Sequence, residues 1–64
     1  MRVVVNGRTV TLFAGAVVRD AIHAWASEEG KHLTGWISRD ENGFEMAPDG
    51  PLEEGMRLTV TNNK

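Results

Sequence analysis

Sixty-four residues without one cysteine make a single small domain that has no disulfide framework, no thiolate metal site and no cysteine nucleophile. Seven Lys and Arg against nine Asp and Glu leave a net charge of -2, which supplies no general field to attract nucleic acid or an anionic membrane. A chain this short hides only about 60% of the surface its unfolded form exposes, so stability has to come from a thin core, from oligomerisation or from a partner.

The opening Met1-Arg2-Val3-Val4-Val5 turns polar at Asn6-Gly7, too soon for a signal peptide, and no apolar run approaches the ~20 residues of a membrane span. The expectation is one soluble, cytoplasmic domain over residues 1–64 with neither repeat nor linker. Residues 2–5 and 8–13 are β-branched and apolar runs on either side of Asn6-Gly7, a pair that tolerates positive φ and signals a tight hairpin. A two-residue loop pairs Val5 with Arg8, Val3 with Val10 and Met1 with Leu12. Paired residues share a face, so Met1, Val3, Val5, Val10 and Leu12 line one side, and Arg2, Val4, Thr9, Thr11 and Phe13 the other.

Residues 17–28 are the only segment whose apolar positions recur at a helical period. At about 100° per residue, Val18, Ala21, Ile22, Trp25 and Ala26 fall on one face, with Arg19, Asp20, His23 and Ser27 opposite. The preceding Ala14-Gly15-Ala16 offers no polar N-cap, which leaves Gly15 as the best start signal, with Asp20 favourable to the helix dipole. Gly30 is the expected stop, followed by Lys31 and His32. A helix of about 12 residues is marginal alone, so this one must be held by burying Val18, Ile22 and Trp25 on a sheet.

Leu33-Thr34-Gly35 leads into a strand at Trp36-Ile37-Ser38-Arg39, and a second hairpin follows at Glu41-Asn42-Gly43 before Phe44-Glu45-Met46-Ala47. Its register has two solutions: a loop of Asn42-Gly43 pairs Arg39 with Met46, whereas a loop of Glu41 to Gly43 pairs Ser38 with Met46. Pro48-Asp49-Gly50-Pro51 ends the pairing, Leu52 is placed to plug one end of the core, and Glu53-Glu54-Gly55 turns the chain. Met56, Leu58 and Val60 then alternate with Arg57, Thr59 and Thr61 as a last strand, and Asn62-Asn63-Lys64 is a polar end. The predicted class is α+β, a mixed four- to five-stranded sheet on one helix in the order ββαβββ or ββαββ. Right-handed return of the chain puts the first and last strands side by side and parallel.

Val5-Asn6-Gly7, Val10 to Leu12, Gly15, the helical run to Trp25 and the closing Leu52-Glu53-Glu54-Gly55-Met56-Arg57-Leu58-Thr59-Val60 together resemble the β-grasp, or ubiquitin-like, fold. The small bacterial sulfur carriers of thiamine and molybdopterin synthesis are the most similar in size. They carry a terminal Gly-Gly that becomes a thiocarboxylate, and this chain ends Thr61-Asn62-Asn63-Lys64. The resemblance therefore implies the fold and not the carrier activity. Plant-type ferredoxins share the fold, but their cluster needs cysteines.

The residues that could carry chemistry are better explained otherwise. His23 and His32 lie nine residues apart with no adjacent ligand, which is no metal spacing. Asp20 three residues before His23 could orient a base, but Ser27 is in no nucleophile turn. Glu53-Glu54 beside Gly55 reads as a solvated turn, and neither Asn-Gly pair opens a phosphate loop. No catalytic, metal or cofactor-binding residue is assigned, and no enzyme activity is expected.

The more informative pair is Trp36-Ile37, because adjacent strand residues point to opposite faces and one of the two must lie on the face away from the helix. With Val4, Thr9 and Thr11 on that side, Val4, Thr9, Thr11, Trp36 and Ile37 are the candidate partner-binding residues. The expectation is a noncatalytic module that binds a protein partner through its outer sheet face or self-associates through the short edge near residues 44–47. The alternative is an accessory protein of thiamine- or molybdopterin-type cofactor metabolism that has lost the Gly-Gly tail.

Overall fold

A computed structural model describes residues 1–31 and 35–62, with the side chain of Asn62 excepted. The expectations for His32, Leu33, Thr34, Asn63 and Lys64 lie outside the described residues. The elements are β1 (Arg2–Val5), β2 (Arg8–Thr11), α1 (Val18–Glu29), β3 (Trp36–Asp40), β4 (Glu45–Met46) and β5 (Arg57–Asn62). Five strands form one mixed sheet in the order β2-β1-β5-β3-β4, with one helix packed on it, an α+β architecture. β1 and β5 are adjacent and parallel near the middle of the sheet, and every other pairing is antiparallel.

The first hairpin follows from its turn. Asn6 and Gly7 both have positive φ, 52° and 81°, the type I′ geometry whose twist matches the flanking strands. That turn fixes the register Val5 to Arg8 and Val3 to Val10. Val3, Val5, Val10 and Leu12 are buried, while Arg2, Thr9, Thr11 and Phe13 are exposed on the other side.

α1 lays Val18, Ala21, Trp25 and Ala26 into the core, with Ile22 half-buried beside them. Burying an aliphatic side chain of this kind contributes about 1.5–3 kcal/mol, which is what a helix with no polar cap requires. The helix starts at Val17 rather than Gly15, and the reason is tertiary. The Val17 N–H donates to Asp20 Oδ2 at 3.0 Å. The next two N–H groups, of Val18 and Arg19, donate to the carbonyls of Gly50 and Pro48 at 3.0 and 2.8 Å. The turn at residues 48–50 thus takes the place of a capping side chain. At the other end Gly30 adopts the left-handed conformation, and Lys31 N–H reaches Ala26 O at 2.9 Å in a Schellman closure.

The second hairpin takes the three-residue loop, pairing Ser38 with Met46. Gly43 at φ 88° supplies the left-handed residue that closes a three-residue turn. Asp40 holds it: its Oδ1 accepts the N–H groups of Asn42 and Phe44 at 2.9 and 3.0 Å. Trp36 and the buried Ser38 consequently face the helix, and Ile37 and Arg39 face away.

Candidate interaction surface

The helix covers one side of the sheet, and the other side is laid out by the strand register. Thr9 lies beside Val4, and Val4 beside Arg57. On the other flank of β5, Thr59 lies beside Arg39 and Thr61 beside Ile37, and Arg39 is next to Glu45. Val4 and Ile37 are half-buried, and the threonines and arginines around them are exposed. Among the described residues Arg39 and Arg57 join no ion pair, whereas Arg2 reaches Glu54 at 3.9 Å.

Of the five candidate residues, Val4, Thr9, Thr11 and Ile37 share this outer face. Trp36 is the member of the Trp36-Ile37 pair that does not. Its ring meets that of Trp25 edge-on, with centroids 5.3 Å apart and planes at 86°, so it belongs to the helix side. Val4 and Ile37 do not form one continuous patch. Val4 is level with Arg57 and Ile37 with Thr61, with β5 between them. Four residues along a strand and two strand spacings across put them about 16 Å apart. They are two separate apolar points in a threonine-rich field. Between β1 and β5 a shallow depression of about 480 Å³ opens, lined by Val4, Asn6, Glu41, Arg57 and Thr59 among others.

Sequence reasoning gave the outer position of Phe13 but not its degree of exposure, 64%, and it gave no surface role to Phe44 itself, 70% exposed. The signal was available for Phe13, which follows Thr9 and Thr11 on the outer parity just where pairing ends. Phe44 depended on the unresolved choice of loop.

The helix side offers a smaller hollow of about 300 Å³ lined by Arg19, Ile22, His23, Trp36 and Pro48. Asp20 is committed to the Val17 N–H at the helix start, and no hydrogen bond links it to His23. Among the described residues no three His, Asp or Glu side chains gather into a group that could hold a metal ion, and no helix is long and apolar enough to cross a membrane. The Arg8 guanidinium is held charged by two carboxylates at the end of α1. Hydrogen bonds from its guanidinium to Glu28 first and Glu29 second, at 3.2 and 2.7 Å, raise its pKa further.

Comparison with protein-family models and with curated proteins finds no match to this chain.

Proposed function

We propose that this chain is a β-grasp domain acting in the cytoplasm as a noncatalytic interaction module, with the uncovered face of its sheet as the docking surface for a protein partner. The element order, the single helix on one face and the parallel β1–β5 pair are compatible with that fold.

The observation that carries the reading is the make-up of the outer face. Thr9, Thr11, Thr59 and Thr61 are β-branched side chains held on strands, so they lose little rotamer freedom when a partner covers them. Val4 and Ile37 supply apolar anchor points, and Arg39 and Arg57 supply donors of the kind enriched at interfaces. Such a face is stiff before binding, which lowers the ordering cost of association.

Affinity purification with the wild-type chain and with Ile37→Ser tests it. The variant changes a half-buried outer residue, and circular dichroism monitors whether the fold is kept. Loss of a partner that the wild type retains supports the reading. Equal retention by both rejects the outer face as the docking surface.

A further inference from the structure

β2 forms one margin of the sheet, and its hydrogen bonding is only half used. Met1 and Leu12 exchange both main-chain hydrogen bonds, at 2.9 and 2.7 Å. Such narrow pairs recur at every second residue of an antiparallel ladder, so Val10 and Arg8 also turn toward β1. Thr9 and Thr11 therefore direct their N–H and C=O groups outward, where no described residue meets them.

Sheet margins are ordinarily blunted by shortness, lysine, proline or a bulge. β4, at the opposite margin, has these devices: it is two residues long, carries Glu45 and is followed by Pro48. β2 is twice that length and has no proline in it or just after it. Its four residues pair without a bulge, and its only charged side chain, Arg8, reaches Glu28 and Glu29 of the helix. The exposed Phe13 follows the strand by two residues, and Gly7 precedes it in the turn.

We propose that β2 is the docking edge for a second copy of this chain, paired antiparallel about a two-fold axis at Val10. That axis sets Thr9 against Thr11 of the second copy and Thr11 against its Thr9, both as narrow pairs with outward donors facing outward acceptors. Arg8 falls opposite Leu12 of the second copy, so no like charges meet across the axis. One strand satisfies its own complement when read backwards, which is what an isologous contact demands. The two sheets become one, with both helices on the same side and the two outer faces joined. The contact uses the margin and not the face, so it stands or falls independently of partner binding there.

Sedimentation velocity on the full chain from dilute solution to about 1 mM, combined with amide hydrogen exchange, tests the proposal. The expected result is reversible dimerisation, with exchange at Thr9 and Thr11 slowing several-fold as concentration rises. Thr11→Pro removes an outward donor while leaving the bonds to β1 in place. It should weaken dimerisation by about tenfold or more with the circular dichroism spectrum unchanged. If that variant does not fold, exchange at Thr9 and Thr11 in the wild type decides alone. A chain that stays monomeric throughout, exchange at these two amides that ignores concentration, or a folded Thr11→Pro that dimerises as well as the wild type would each overturn it.

Discussion

The side chain of Asn6 clasps the main chain of Val60: Nδ2 donates to the Val60 carbonyl at 2.9 Å and Oδ1 accepts the Val60 N–H at 2.8 Å. A residue in the first turn thereby extends the β1–β5 ladder by one rung, joining positions 54 residues apart. The Asn6 main chain adds a third bond, from its N–H to Leu58 O at 3.0 Å.

Asn6→Gly isolates the clasp, because glycine accepts the positive φ of this turn and removes only the side chain. Two main-chain groups of β5 then lose their partners, at an expected cost of about 1–3 kcal/mol. Urea denaturation measures it. Against the roughly 3–10 kcal/mol available to a domain of this length, that is a large share, and a variant as stable as the wild type would show the clasp to be idle.

The helix start makes an opposite pair of expectations. Val17→Thr adds the side-chain acceptor that the cap position lacks, yet the N–H groups it would serve already donate to Pro48, Gly50 and Val17 carbonyls. Its effect on stability should stay within about 0.5 kcal/mol. Gly50→Ala should destabilise by about 1–3 kcal/mol through overpacking, since a Cβ there would stand 3.1 Å from Ala47 O and 3.4 Å from Val18 Cγ2. Thermal melts of the two variants side by side check both.

These cases show where the sequence is legible and where it stops being so. In the first hairpin the turn Asn6-Gly7 and the alternation of Val3, Val5, Val10 and Leu12 give one register independently, and that register is found. In the second, Asn42-Gly43 suggests the same two-residue turn, but Gly43 closes a longer loop because the Asp40 carboxylate has captured two of its N–H groups. The placement of Trp36 on the helix side follows from that register and could not be read without it. The start at Val17 depends on carbonyls about 30 residues away, and no local pattern announces a cap supplied by another part of the chain. The outer-face candidates were half legible: alternation named Val4, Thr9 and Thr11, but only the strand order shows how far Val4 lies from Ile37.

Trp25 and Trp36 tie α1 to β3 through their edge-on contact. Trp25→Ala should cost about 3–5 kcal/mol, because the ring is 5% exposed and sits in the core cluster. A double-mutant cycle with Trp25→Leu and Trp36→Leu should return a coupling of about 0.5–1.5 kcal/mol. Additive effects would mean that the two rings act separately.

The Arg8 pairs with Glu28 and Glu29 tie the start of β2 to the end of α1. A group whose pKa rises on folding stabilises the fold below its unfolded pKa and loses that contribution only as pH climbs through the folded value. For Arg8 both values are strongly alkaline. The stability difference between wild type and Arg8→Gln should thus be constant from about pH 6 to about pH 9. It should shrink in about 1 M salt, which screens exposed ion pairs. Denaturation midpoints across that grid test the expectation, and a difference indifferent to salt would assign the effect to packing of the arginine stem.

The outer sheet face as docking surface is tested most directly by amide chemical-shift mapping of the isotope-labelled chain, titrated with a partner recovered by affinity purification. The shifts should concentrate on Val4, Ile37, Arg39, Arg57 and Thr59 and leave the helix largely unmoved. Shifts centred on Arg19, Ile22 and His23, with the outer face silent, would contradict it.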